Sequence, residues 1–112
     1  MALLLVQALS EDAIASPSNR NPNYIVVSVT DANGVPLSGL AASNFKVDPM
    51  VVGPGGALVN IASCNPGRLA GTYLLQVVPI NAETWKAGGY LFAVAVAAAG
   101  NHGQALCSVL MD

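Results

Sequence analysis

One short phrase occurs twice in the chain, as Ala70-Gly71-Thr72-Tyr73-Leu74-Leu75 and as Ala87-Gly88-Gly89-Tyr90-Leu91-Phe92, and each copy opens an apolar run. Glycine supplies the backbone angles of a tight turn, while Tyr, Leu, Val and Phe suit a pleated, half-buried surface. Both runs therefore read as central strands entered through turns, and the linker from Pro79 to Lys86 is expected to join them within one sheet.

The rest of the chain repeats the pattern of apolar runs separated by turn residues. Ala2 to Leu9 is a first strand candidate, and the Ser-, Asn- and Pro-rich stretch from Ser10 to Asn23 is a loop with room for one helical turn at Glu11 to Ala15. From Tyr24 to Asp31 the residues alternate cleanly, with Ile25, Val27 and Val29 on one face. Asn33-Gly34 turns the chain, and Phe45 to Asp48 alternates apolar with charged residues ahead of Pro49, which marks an edge strand. Gly53-Pro54-Gly55-Gly56 reads as a hairpin turn with Ala57 to Cys64 returning, and Asn65-Pro66-Gly67-Arg68 as a second turn. In the run from Tyr90, Phe92, Val94 and Val96 share the tyrosine's face, and Leu91, Ala93, Ala95 and Ala97 share the other. Gly100 to Gly103 is a turn before a last strand from Gln104 to Met111. The expectation is an all-β sandwich of about seven antiparallel strands with no stable helix.

Length allows one domain: 112 residues, with 1–23 as an N-terminal strand and loop extension and 24–112 as the sandwich core. Charged residues make up 9% of the chain, against about 25% in an ordinary soluble domain. Four scattered cations, Arg20, Lys46, Arg68 and Lys86, and a formal charge of -2 give no footprint for nucleic acid. A nearly uncharged surface favours association, so a homo-oligomer or a contact with other structural proteins is expected. The start, Met1 to Val6, lacks the basic flank of a signal peptide and reads as a core or edge strand. No apolar run approaches the roughly 18 residues of a membrane-spanning helix.

The stretch Val27-Ser28-Val29-Thr30-Asp31-Ala32-Asn33-Gly34-Val35-Pro36-Leu37-Ser38-Gly39-Leu40 resembles the opening of bacterial immunoglobulin-like domains of the invasin and intimin type. Trp85-Lys86-Ala87-Gly88-Gly89-Tyr90 is similar to the W-x-x-G-x-Y entry to a late strand in many immunoglobulin-like modules. The resemblance spans roughly Tyr24 to Met111 and implies an immunoglobulin-like sandwich used for spacing, adhesion or assembly. It brings no catalytic residue. An apolar strand ahead of the module departs from the family pattern, and beside a complete sandwich such a strand is free to add to a neighbour's sheet edge.

The chemical handles are sparse, and no cofactor is expected. His102 is the sole histidine and reads as an exposed turn residue, so a two-histidine metal site within one chain is ruled out. Asp31 and Asn33 resemble the first ligands of a calcium loop, but the distal Glu is missing and turn capping is the better account. Gly53 to Gly56 lacks the Lys-Ser or Lys-Thr of a phosphate loop. Trp85, with Tyr90 or Tyr24, either fills the core or forms a platform for stacking a sugar. Cys64 and Cys107 either form a disulfide in an oxidising compartment or stay as free thiols. Leu3 and Leu5 on the first strand, and Ala93, Ala95 and Ala97 on the alanine-paved face, are the candidates for assembly. The sequence thus points to a non-enzymatic structural module of an extracellular surface, a filament or a virion, with a glycan-binding or adhesion module as the alternative.

Overall fold

The computed structural model describes residues 3–10, 22–51, 58–81 and 83–111. Among them are seven strands: β1 (Leu5–Ser10), β2 (Asn23–Thr30), β3 (Phe45–Val51), β4 (Val59–Pro66), β5 (Thr72–Pro79), β6 (Gly88–Ala98) and β7 (Asn101–Met111). A single 3-10 turn, Ala42–Asn44, precedes β3. Two antiparallel sheets result, a four-stranded one in the order β1-β2-β5-β4 and a three-stranded one in the order β3-β6-β7. The all-β sandwich expected from the alternation is the observed fold.

Period-two alternation explains how the sheets meet. Ile25, Val27 and Val29 of β2, with Tyr73, Leu75 and Val77 of β5, point inward from one sheet. Tyr90, Phe92, Val94 and Val96 of β6 point inward from the other, and all ten are buried in one core. The ring of Phe45 on β3 lies 5.3 Å from that of Tyr73 on β5 and joins the two layers, while Trp85 in the linker ahead of β6 meets Tyr90 edge-on at 5.6 Å. Such tilted and edge-on pairs set the ring edge against the ring face and add to the burial energy.

Several connections differ from their expected form. The twin-phrase strands β5 and β6 are not sheet partners; each lies inside a different sheet, and the linker between them crosses the sandwich. Likewise β3 and β4 sit in different sheets, so β4 is not the hairpin return of β3; Gly53 to Gly56 lie outside the described residues. The last turn is Ala99-Gly100, with φ of 52° and 82°, the two positive angles of a two-residue hairpin turn. His102 and Gly103 therefore belong to β7. Glu11 to Ala15, read as a helical turn, lie outside the described residues.

The first strand is also placed differently. It pairs with β2 over six positions, from Leu5 opposite Thr30 to Ser10 opposite Ile25. This makes β1 one of the seven strands, not a spare one beside a finished sandwich. Just ahead of it, Leu3 bridges in parallel to His102, and the Leu4 N–H donates to the His102 carbonyl at 2.7 Å. The chain start thus touches both sheets and closes one seam of the sandwich. Gly103 permits the approach: a Cβ there would collide with the Leu4 carbonyl and with Val6.

Turn chemistry does what its residues allow. The Asp31 carboxylate accepts from the Asn33 N–H at 2.8 Å and the Val35 N–H at 3.0 Å, and Gly34 takes a φ of 82°. Asp31 is thus occupied as a turn cap. Pro49 stands on β3, an outer strand of its sheet, where the register shifts between Pro49 and Val51. A proline and a bulge are tolerated there because an edge strand has one row of backbone groups to spare.

Candidate functional site

The strands that carry the assembly candidates come together at one end of the three-stranded sheet. On β6, inward Val94 and Val96 force Ala93, Ala95 and Ala97 onto the outer face. On β7, His102 and Gln104 flank Ala97 and Ala95 in the register. On β3, Lys46 flanks Ala95 from the other side. The parallel bridge at His102 then brings Leu3 and Leu5 to the same place.

The result is an open groove of about 860 Å³ whose lining includes Leu3, Leu5, Lys46, Ala95, Ala97 and His102. Its β3 rim is pinned by Asn44, whose Nδ2 donates to the Ala97 carbonyl at 2.9 Å while its Oδ1 accepts from the Ala41 N–H at 2.9 Å. Among the described residues Lys46 and His102 are the only ionisable ones that line it. Lys46 lies 3.8 Å from Asp48, both of them solvent-exposed, a separation at which an exposed ion pair contributes little. Leu3 keeps 66% of its surface exposed. An apolar floor with few charges can cover another apolar surface.

Four of the five assembly candidates, Leu3, Leu5, Ala95 and Ala97, thus line one groove, and Ala93 continues the same face two residues along. Their convergence was not visible in the sequence. The signal that could have shown it is Gly103, a glycine inside a strand, which marks the close passage of another backbone.

The other candidates lie elsewhere. Trp85 and Tyr90 are each 2% exposed and pack against one another in the core, so neither offers a ring face to a sugar. The Tyr90 hydroxyl accepts from the Lys86 N–H at 3.0 Å, which ties the strand to its own approach. Cys64 on β4 and Cys107 on β7 are free thiols in different sheets. In the sandwich β4 borders β3 and β7 borders β1, so the two thiols stand at opposite edges and a bond between them is excluded. Burial pushes both thiols up from the usual cysteine range, which disfavours the thiolate. Among the described residues no three His, Cys, Asp or Glu side chains gather as a metal site. No described helix is long and apolar enough to cross a membrane.

Strand order and the tyrosine together define the class. Four strands ordered first-second-fifth-fourth, facing three ordered third-sixth-seventh, are the arrangement of a constant-type immunoglobulin sandwich. A tyrosine near the start of the sixth strand, its hydroxyl bonded to backbone a few residues upstream, is the tyrosine corner of such folds. Within this class no family model, curated protein or solved structure matches the chain.

Proposed function

We propose that this chain is a non-enzymatic structural and interaction module that associates with copies of itself through the outer face of its three-stranded sheet. In this reading it serves as a subunit of a larger surface, filament or virion assembly. The observation that carries the reading is the convergence of Leu3, Leu5, Ala95 and Ala97 on one nearly uncharged groove. The apolar surface continues beyond it: Leu106, Leu110 and Met50 are exposed on the strands flanking β6. Contiguous apolar surface of this kind is costly to leave in water and marks contact sites.

The likeness of residues 27–40 to bacterial immunoglobulin-like domains supports the same class of job. Light scattering after size exclusion tests it, with a mass above the 11.3 kDa of one chain expected as concentration rises. A monomer at every concentration overturns the reading.

A further inference from the structure

The loop that follows β2 is a polar site that neither the core nor the groove uses. Its closing pair is Asp31 and Val35, with the Asp31 N–H donating to the Val35 carbonyl at 2.9 Å. Ala32, Asn33 and Gly34 lie between them, all exposed. Gly34 carries a φ of 82° and its N–H donates back to the Asp31 carbonyl at 3.0 Å, so this is a three-residue hairpin connection that ends on a left-handed glycine. The Asp31 carboxylate takes the N–H groups on either side, those of Asn33 and Val35. Every backbone N–H from 33 to 35 is therefore donated to Asp31.

Asparagine followed by glycine is a reactive pair. When the glycine nitrogen loses its proton and attacks the asparagine side-chain carbonyl carbon, a five-membered succinimide forms and ammonia leaves. Glycine permits this because no side chain shields its nitrogen. Asn33-Gly34 is the only such pair in the chain. The other described asparagines precede Tyr24, Phe45, Ile61, Pro66, Ala82 and His102, whose side chains crowd the attack, and the proline has no N–H to lose.

We propose that Asn33 is a site of spontaneous modification, deamidation through a succinimide, and that Asp31 sets its rate. Both reacting groups stand in water: Asn33 and Gly34 are exposed, and a Cβ on Gly34 would meet nothing within 4 Å. In the closed loop the reaction is held off. The Gly34 N–H is donated to the Asp31 carbonyl, a bond that disfavours loss of the proton. The two carboxylate bonds fix the backbone on both sides of that nitrogen, which keeps it from swinging towards the Asn33 side-chain carbon. Attack therefore waits on local opening of the loop, and the three bonds to Asp31 decide how often that occurs.

The bond that forms joins the Gly34 nitrogen to Asn33 Cγ, and the bond that breaks joins Cγ to the side-chain nitrogen. The proton of Gly34 passes through water to the leaving ammonia. Water then opens the ring at either carbonyl and gives aspartate or isoaspartate, with nothing oxidised or reduced. Either product adds a negative charge, beside Asp31, to a chain of formal charge -2. Isoaspartate also routes the main chain through the side-chain methylene and so lengthens the loop. The exit cannot take up the slack, because the Leu37 N–H donates to the Val29 carbonyl at 3.0 Å and the Tyr73 hydroxyl holds the Leu37 carbonyl. The change falls on the cap itself.

Incubation of the full chain at mildly alkaline pH tests this, with peptide mass mapping to locate the change and ion exchange to follow the added charge. Wild type is expected to gain the acid forms at Asn33 slowly while folded and fastest in urea. Asp31→Ala, verified as folded by circular dichroism, is expected to react roughly tenfold faster than folded wild type or more, since it removes two hydrogen bonds to a charged group. Asp31→Asn keeps an acceptor oxygen and is expected to stay near the wild-type rate. If Asp31→Ala reacts no faster than wild type, or Asp31→Asn reacts as fast as Asp31→Ala, bonding to the side chain is not the lock and that part falls. Wild type reacting as fast folded as in urea overturns the lock without any variant, so the test stands should Asp31→Ala fail to fold. If Asn33 stays an amide even in urea, the site itself is refuted.

Discussion

The two copies of the repeated phrase begin alike and end up held in different ways. Gly71, entering β5, has a φ of 77°, and a Cβ there would lie 2.7 Å from the Val29 carbonyl and 2.8 Å from Pro36 Cβ. Its counterpart Gly88 likewise holds a positive φ, 133°, whereas Gly89, standing where the first copy has Thr72, has nothing within 4 Å of its missing Cβ. The tyrosines, which do stand at matching places, are held differently. The Tyr73 hydroxyl donates to the Leu37 carbonyl and accepts from the Leu40 N–H at 3.2 Å, thirty-odd residues away in sequence. The Tyr90 hydroxyl bonds only four residues back. One phrase is a clamp on a distant connection and the other a local corner, so identical local chemistry takes its value from what the opposite sheet brings to it.

The largest effect is expected at the glycine that enters β5. Gly71→Ala is expected to cost about 3 kcal/mol or more, because it adds a left-handed backbone penalty to a collision with main chain. Gly89→Ala should stay within about 0.5 kcal/mol of wild type. Urea unfolding of the two variants decides it, and equal losses would end the distinction. The tyrosines come next. Tyr73→Phe leaves a carbonyl and an N–H of the 37–40 segment unpaired and should cost about 2 kcal/mol; Tyr90→Phe, with one bond lost, should cost about 1 kcal/mol by the same measurement.

A third test concerns the exit from β6, which is as local as its entry. Ala99 holds a φ of 52°, a conformation that disfavours a side chain, so Ala99→Gly should stabilise by about 1 kcal/mol and raise the melting temperature. The smallest effect involves the thiols, one beside each phrase strand: Cys64 pairs with Leu75 and Cys107 with Phe92. Folding raises both above the ordinary 9.0. Below pH 9 the folded and unfolded thiols are both protonated and nothing changes; above it the unfolded chain ionises first, so stability falls as pH rises. Alkylation should reach half-buried Cys64 before buried Cys107. Simultaneous labelling would show that the two sheets open together.

Much of the fold was legible because alternation is a local property. The inward sets of β2 and β6, the edge position of Pro49 and the capping role of Asp31 each follow from a few adjacent residues. Sheet membership is not local. Nothing in the Pro79 to Lys86 linker distinguishes a hairpin from a crossing, which is why β5 and β6 read as neighbours. Ala99 hides the last turn for another reason: alanine rarely takes positive φ, so the sequence points to a later turn, at the glycines around His102. The candidate site was legible as separate residues, Leu3 and Leu5 at one end of the sequence and the alanines near the other. Their meeting depends on the passage of Leu4 over Gly103, a contact across almost the entire chain.

That passage also sets an order of events. The start of β1 is synthesised well before its partner at His102, with five strands made in between. Until β7 emerges Leu4 waits without the strand that helps to bury it, and closure of that seam is a long-range step of the kind that slows folding. A chaperone that recognises short leucine-rich segments would find its opportunity here, in the interval before β7 is in place.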